Sequence, residues 1–147
     1  LVALGQASQD RFPLVEMARP ILASLRDGTG ESVQLFVQEG TQRRCVLSLE
    51  TPHGLRWIVP EGSVVPLDAG SAGRVLSGST VDGWVESIGE REPGVASVSA
   101  AVLGSNDATV AAVSVSGPIE RLSRQPGDRF GDAVIAAAAE LSRELGG

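Results

Sequence analysis

Two stretches near the C-terminal end of the chain alternate between apolar and small polar side chains. They run from Val95 to Leu103 and from Thr109 to Ser116, and Gly104-Ser105-Asn106-Asp107 joins them. A period of two residues places alternate side chains on opposite faces of a strand, and a short joint rich in Gly, Asn and Asp is typical of a hairpin. The chain is therefore predicted to contain an antiparallel sheet with two chemically different faces.

The two faces of this predicted hairpin carry different side chains. One face carries only valine and alanine and should pack under helices: Ala96, Val98, Ala100, Val102, Ala111, Val113 and Val115. The other face carries four serines and no charge in its central part: Ser97, Ser99, Ser114 and Ser116. The serine face is interpreted either as a solvated surface or as the wall of a ligand pocket, because small hydroxyl side chains leave space and supply hydrogen bonds.

The remaining elements are predicted from periodicity and turn residues. A first helix is predicted from Asp10 to Asp27, with Asp10 as its cap, Pro13 in its first turn and a kink or break at Pro20. Its stripe facing the core is Leu14, Ala18, Ile21, Leu22 and Leu25. A last helix begins at Pro126-Gly127-Asp128, with a buried stripe of Phe130, Val134, Ala137, Ala138, Leu141 and Leu145. The stretch after Gly117-Pro118 is predicted to be irregular.

Further strands are predicted at 32–38, 42–50, 55–59, 64–67 and 84–90. In the first of these, Val33, Leu35 and Val37 share a face; in the second, Cys45, Leu47 and Leu49 do. This order of elements predicts an α+β fold with an antiparallel sheet of about six strands and two long helices on one face.

A segment of small residues, Ala69-Gly70-Ser71-Ala72-Gly73, leads into a short predicted helix that ends near Leu76. Glycines allow close approach of the backbone, and the start of a helix exposes N–H groups that attract a carboxylate or phosphate. The segment is therefore interpreted as a ligand-binding loop or as a tight strand-to-helix turn without a ligand. Trp57 and Val65, on flanking strands, are interpreted as an apolar lid or as part of the core.

Composition excludes several classes of function. The net charge is −6, so this segment is a poor DNA binder by itself. The longest apolar run, Ala133 to Ala139, is too short to span a membrane. His53 is the one histidine, and neither a nucleophile elbow, a phosphate-binding loop nor a paired metal-ligand spacing is present. We therefore expect that the chain is not an enzyme and that it has no catalytic residue, metal or cofactor. The one cysteine, Cys45, is interpreted as a buried thiol in a reducing compartment.

Several motifs occur along the chain in the order found in one protein family. LRDGTGESVQLFV (25–37) and VPEGSVVPLDAGSAGRVL (59–76) precede GWVESIGEREPGVASVSAAV (83–102) and VAAVSVSGPIERL (110–122). Together with the closing helix AVIAAAAELSREL, they cover nearly the whole chain, which resembles the C-terminal domain of IclR-type bacterial transcriptional regulators. The variant GEREPGVASVSA with SVSGPIERL is most similar to the actinobacterial branch linked to the biosynthesis of leucine and other amino acids.

The resemblance implies a GAF-like or profilin-like domain that binds a small effector, either an amino acid or a small organic acid. Residues 1–147 would form this domain of a cytoplasmic dimer or tetramer. DNA would be bound only through an N-terminal winged helix-turn-helix domain, which is absent from a chain that begins at Leu1. The implied pocket residues are Trp57, Val65, Ser71, Ala72, Val95, Ser97, Ser114 and Ser116, with either Ser87 or Glu90 as a further polar contact.

Relatives in this family have a helical stretch of several tens of residues between the equivalents of Gly78 and Gly83, where it covers the cavity. This chain either lost that element or the sequence skips it, and the second explanation is favoured. Two other functions stay open on the sequence: a GAF-like module that mediates assembly without a ligand, and a small hydrolase or isomerase.

Overall fold

Six antiparallel strands form one sheet in the part of the chain that the structure describes. This structure is a computed structural model that describes residues 2–51, 59–78, 83–90 and 92–146, with side chains from Phe12 onward. The strands are β1 (Ser32–Glu39), β2 (Gln42–Leu49), β3 (Val64–Pro66), β4 (Val85–Ile88), β5 (Val95–Leu103) and β6 (Thr109–Pro118). Their order across the sheet is β3-β2-β1-β6-β5-β4, so the hairpins β1–β2 and β5–β6 meet along β1 and β6.

Helices cover both faces of this sheet. The helices are α1 (Val2–Thr29), α2 (Ser71–Leu76), α3 (Ile119–Leu122) and α4 (Pro126–Gly146). The two long helices, α1 and α4, pack against each other and against the same face, whereas α2 packs against β4, β5 and β6 on the other side. The predicted α+β fold with two long helices on one face is therefore confirmed. The short helix α2 gives the sheet a second buried face.

The main core lies between the sheet and the two long helices. Every valine and alanine assigned to the apolar face of the late hairpin is at most 2% exposed. These side chains meet the predicted stripes of both helices, which are buried as expected except for Leu145, which is only partly buried: Leu14, Ala18, Ile21, Leu22 and Leu25 of α1, and Phe130, Val134, Ala137, Ala138 and Leu141 of α4. Burying a side chain of valine or leucine size contributes about 1.5–3 kcal/mol, so this layer supplies most of the stability.

The first helix differs from its prediction. It begins at Val2 rather than at Asp10, so Asp10 is not its cap and Pro13 is not in its first turn, and Pro20 does not break it. Residues 2–9 include Ala, Leu and Gln, which favour a helix. A proline inside a helix costs about 3 kcal/mol. The buried side chains on both sides of Pro20 offset that cost, because Ala18 and Ile21 pack into the same core.

A bulge in β2 changes which side chains share a face. Leu35 pairs with Leu47, but the next residue, Phe36, pairs with Cys45, so Val46 is an extra residue in β2. Leu47 therefore lies in the core under the long helices, whereas Cys45 packs on the opposite side of the sheet. The prediction that Cys45 and Leu47 share a face is wrong, because a bulge interrupts the period of two.

Four other predicted segments differ from the structure where it describes them. The strand predicted at 84–90 is shorter, covering only Val85–Ile88, and the one at 64–67 ends at Pro66. Residues 55–58 of another predicted strand lie outside the described residues, and Val59 is not in a strand. The stretch predicted to be irregular after Gly117-Pro118 contains the helical turn α3.

An ion pair explains why α3 is ordered. Glu31, just before β1, is 3% exposed, and its carboxylate accepts hydrogen bonds from Nε and Nη2 of Arg121 at 2.8 to 3.0 Å. This hydrogen-bonded carboxylate raises the pKa of the Arg121 guanidinium. A Cβ on Gly117 would lie 2.5 Å from Leu122 Cδ1 and 2.9 Å from Glu31 Oε1. The turn therefore packs tightly on the start of the sheet, through a contact between residues far apart in sequence.

The indole of Trp84, the residue before β4, packs against α4. A Cβ on Gly127 would lie 2.2 Å from an indole carbon, and one on Gly131 would lie 2.7 Å from the indole nitrogen. Two glycines one helical turn apart thus form a slot for the ring. Gly127 also donates its backbone N–H to Glu86 Oε1 at 2.9 Å, which joins the start of α4 to β4.

Replacing Gly127 with alanine should lower the free energy of unfolding by about 1–3 kcal/mol, because the added methyl group overlaps a rigid ring. Urea denaturation measures this change. Gly28→Ala is the matched control: Gly28 is exposed in α1, and a Cβ there would meet no atom within 4 Å. We expect the control to be neutral or stabilised by up to about 1 kcal/mol. Equal stability of the two variants would contradict the packing of Trp84 in the slot.

Candidate functional site

The serine face of the late hairpin is buried beneath α2. Ser99, Ser114 and Ser116 are 0%, 2% and 7% exposed, and Ser97 is half-buried. The interpretation of this face as a solvated surface is therefore wrong. Ser97 and Ser99 instead place their hydroxyl groups against Ser71 of α2.

A small cavity lies between this face and that loop. Its volume is about 30 Å³, which is about the space of one or two water molecules. Seven side chains expected at the site line it: Ser71, Ala72, Ser87, Val95, Ser97, Ser114 and Ser116. The structure thus brings together residues from α2, β4, β5 and β6, which are far apart in sequence.

Four hydroxyl groups form a chain of short contacts in this layer. Ser71 Oγ lies 2.7 Å from Ser97 Oγ and 2.7 Å from Ser99 Oγ, and Ser99 Oγ contacts Ser114 Oγ. Either hydroxyl of each pair can donate the hydrogen. Ser99 was not among the expected site residues, although it lies on the same face, and it connects the two strands to α2.

The lining of the cavity also includes Gly70 of the predicted loop, and four residues that were not expected at the site: Gln34, Phe36, Arg43 and Val59. The most unusual is Arg43 of β2, which is only 3% exposed. Its Nη1 donates to the backbone carbonyls of Pro66 at 3.1 Å and Ala69 at 2.6 Å, and its guanidinium carbon lies 5.0 Å from the centre of the Phe36 ring. A buried cation, held by carbonyls and by an aromatic face, thus lines the cavity.

Arg43 explains the two glycines of the segment 69–73. A Cβ on Gly70 would lie 3.1 Å from Arg43 Nη2, and one on Gly73 would lie 2.0 Å from the Leu67 carbonyl oxygen and 2.7 Å from Arg43 Nη1. Gly70 also has a φ of +95°, which favours glycine. The two glycines are therefore required because Arg43 and the Leu67 carbonyl pack closely against them, whether or not a ligand approaches.

Glu90 occupies the backbone donor that was expected to be free. The N–H of Gly70 donates to Glu90 Oε1 at 3.2 Å, and Arg74 Nη1 donates to Glu90 Oε2 at 2.8 Å. The prediction of free N–H groups at the start of this helix is therefore wrong for Gly70, whose N–H already bonds to a side chain of the same molecule. Glu90 ties the loop to the end of β4 and does not line the cavity, whereas Ser87 does.

Two other expected residues lie elsewhere. Val65 of β3 is partly buried against the second apolar cluster, which includes Phe36, Cys45 and Val75, and it does not line the cavity. Trp57 lies outside the described residues, as does His53. Among the residues that the structure describes, no three His, Cys, Asp or Glu side chains come close enough to hold a metal ion.

Comparison with known proteins identifies the domain. The model of the family described as bacterial transcriptional regulator IclR C-terminal matches residues 6–80 and 76–143. The chain belongs to this family. The expectation from the sequence motifs is thus confirmed at the level of the family, and the IclR C-terminal domain is the unit that carries the cavity.

Named relatives of this IclR C-terminal domain are regulators of transcription. HTH-type transcriptional regulator BhcR of Paracoccus denitrificans is 28% identical, over 94% of this chain and 62% of its own length. Transcriptional repressor IclR of Escherichia coli is 22% identical, over 91% of this chain and 63% of its own length. The chain thus spans less than two thirds of these curated relatives, and their names describe regulators rather than enzymes.

A solved structure confirms the fold. The crystal structure of Thermotoga maritima IclR matches all of this chain and 74% of its own chain, with a TM-score of 0.84 and 20% identity. At this identity the match shows a shared architecture. No helix in the described ranges is long and apolar enough to cross a membrane.

Cys45 is buried next to the cavity layer, and burial raises the pKa of its thiol to about 12. The thiol should therefore stay protonated and unreactive in the folded domain. Because the folded-state pKa exceeds the ordinary value of 9.0, this group's contribution to stability is fully present below pH 9 and is lost as the pH rises towards 12.

At about pH 8, a thiol reagent should label the folded chain slower than the urea-unfolded chain by a factor of about a hundred or more. The reaction can be followed by absorbance and checked by the mass of the labelled protein. Rapid labelling of the folded chain would show that the layer around Cys45 opens readily, which the packing described above does not permit.

Proposed function

We propose that this IclR C-terminal domain binds a small anionic effector in the cavity between the sheet and α2. The observation that carries the proposal is the buried guanidinium of Arg43 in a wall that faces serine hydroxyls. A guanidinium binds carboxylates through paired hydrogen bonds, and hydroxyl groups can orient the rest of a small ligand. An amino acid or a small organic acid would supply this anionic group.

The size of the cavity limits the effector. About 30 Å³ of free space accommodates a ligand of very few non-hydrogen atoms unless the walls move. A small carboxylate fits this limit with little movement. An effector as large as leucine would require α2 or the loop before it to move away from the sheet.

We further propose that the whole protein is a cytoplasmic regulator that controls amino-acid metabolism, including that of leucine. Support for this narrower role comes from the motifs GEREPGVASVSA and SVSGPIERL alone. In this proposal the domain forms a dimer or tetramer, and DNA is bound by a separate N-terminal winged helix-turn-helix. The effector would favour one arrangement of the assembly and so change the spacing of the DNA-binding domains.

We also propose that this chain lacks a segment between α2 and β4 that its relatives have. The alignments with BhcR and with the repressor IclR extend over 174 and 172 positions, more than the 147 residues of this chain. The family model matches in two parts that meet at residues 76–80. Both observations support a shortened connection at the place where the motifs indicated one.

A second candidate function is an assembly module that holds no ligand. This alternative is favoured by the small volume of the cavity and by the serine hydroxyls, which satisfy one another. Under this alternative, Ser97→Leu would fill the cavity without changing the oligomeric state or transcription from a reporter. Under the effector proposal, the same variant should no longer respond to the effector. A reporter assay with the full-length regulator distinguishes the two.

The effector proposal can be tested by calorimetric titration of the chain with formate, acetate, propionate, glycolate and glycine, and with uncharged acetamide. We expect at least one carboxylate to bind and acetamide to bind more weakly. Arg43→Gln should weaken carboxylate binding by about tenfold or more, since the charged partner is lost. Circular dichroism should first confirm that the variant is folded.

Arg44→Gln provides a matched control from the same strand. Arg44 bonds to Glu39 at 2.7 Å and to the Gly62 carbonyl oxygen at 2.9 Å, and it does not line the cavity. Its replacement should leave carboxylate affinity within about twofold of the unmodified chain. Absence of heat with every carboxylate would refute the proposed function. Equal losses in both variants would show that Arg43 acts through overall charge rather than in the cavity.

A further inference from the structure

Gln34 has an unusual place for a long polar side chain. It lies in β1, at the centre of the sheet, where it pairs with Ser48 of β2 and Ser114 of β6. The residue is 1% exposed, and its side chain lines the cavity beside Phe36. Both neighbouring strands and the layer above it therefore remove the amide from water.

The two ends of the Gln34 amide differ in their partners. Its Oε1 accepts a hydrogen bond from Ser116 Oγ at 3.0 Å. Its Nε2 is buried and has no hydrogen-bond partner among the described residues. An unmatched buried N–H group costs free energy, so a side chain that served folding alone would be apolar at this position.

The serines of the same cavity do not share this property. Ser71, Ser97 and Ser114 have hydroxyl partners within the domain. Gln34 thus brings an unmatched amide N–H into the cavity, and Arg43 supplies positive charge in the same wall. The unmatched group and the charge both favour an acceptor oxygen that carries negative charge.

We propose that Gln34 determines which ligands the cavity accepts, an inference that rests on the function proposed above. Its Nε2 donates a hydrogen bond to an oxygen of a small carboxylate, and Ser116 acts as a positioning residue that holds the other end of the amide. An amine or ammonium group offers no acceptor to Nε2 and is repelled by Arg43. Small anions are therefore accepted and small cations rejected.

Two variants test this role by calorimetry with the carboxylates named above and with methylammonium as the cation. Gln34→Met keeps the length of the side chain but removes the amide, and should weaken carboxylate binding by about tenfold. Gln34→Glu keeps an oxygen to accept from Ser116 but replaces the N–H donor with an acceptor. It should weaken carboxylate binding by about a hundredfold, because two anions would face each other. Methylammonium should not bind the unmodified chain.

Gln38→Met is the matched control, because Gln38 lies on the same strand, bonds to the Gly40 carbonyl oxygen and does not line the cavity. This variant should keep its carboxylate affinity within about twofold of that of the unmodified chain. The thermal midpoint of ligand-free unfolding gives a second measurement. Gln34→Met should change this midpoint little, because removing the unmatched donor offsets the loss of the acceptor for the Ser116 hydroxyl, whereas a purely structural glutamine would lose stability on replacement.

The outcomes separate this inference from the proposed function. If the unmodified chain binds a carboxylate and Gln34→Met binds it equally well, Gln34 is not the selecting residue, although the proposed function stands. If the unmodified chain binds no carboxylate, both fail. Should the variants not fold, the side-chain NH₂ signal of Gln34 in the ¹⁵N-labelled unmodified chain decides: it should shift on addition of the carboxylate, and an unchanged signal overturns the inference.

Discussion

The pairing of β1 with β6 is the interaction on which the rest of the structure depends. It joins two hairpins into one sheet and places Gln34 opposite Ser114, and Ser32 opposite Ser116. A shift of this register by one residue would turn the polar side chains of β1 into the core beneath the long helices. The valines and leucines of the same strand would then face the serines. The cavity therefore exists only in this register, which the apolar core on the other face stabilises.

The bulge in β2 contributes a second constraint. In a regular strand, Arg43 would share a face with Cys45 and Leu47, and Leu47 lies under the long helices. The extra residue Val46 turns Cys45 and Arg43 to the cavity side instead. Once there, the guanidinium requires carbonyl acceptors and space. The end of β3 and the segment 69–73 supply both, through the carbonyls of Pro66 and Ala69 and through Gly70 and Gly73. One irregularity in a strand thus accounts for the charge in the cavity wall.

Much of this architecture follows from local sequence. The late hairpin, the stripes of α1 and α4, and the burial of the Val and Ala face could be predicted because each depends on periodicity within a single element. The alternation of Val33, Leu35 and Val37 also implied that Gln34 and Phe36 lie on the other face, so that signal was present. Arg43 could not be found in this way, since no local pattern marked the bulge.

The periodicity of single elements likewise cannot predict contacts between residues that are far apart in sequence. The capture of the Gly70 N–H by Glu90 and the ion pair of Glu31 with Arg121 each join residues whose proximity depends on the completed sheet. The continuation of α1 through Pro20 could not be predicted either, because tertiary packing outweighs the local tendency of proline to break a helix. The site residues named from the serine face lie around one cavity for the opposite reason, since they share faces of neighbouring strands.

The hydroxyl groups from Ser97 through Ser71 and Ser99 to Ser114 form a row of hydrogen bonds whose direction is not fixed. Every contact in this row works with either oxygen as donor, so all its protons can point one way along the row or the other. Reversing that direction exchanges a donor for an acceptor at each end without moving a heavy atom. The serine row can thus adapt its polarity to whatever lies beside it, and discrimination has to come from groups with fixed polarity.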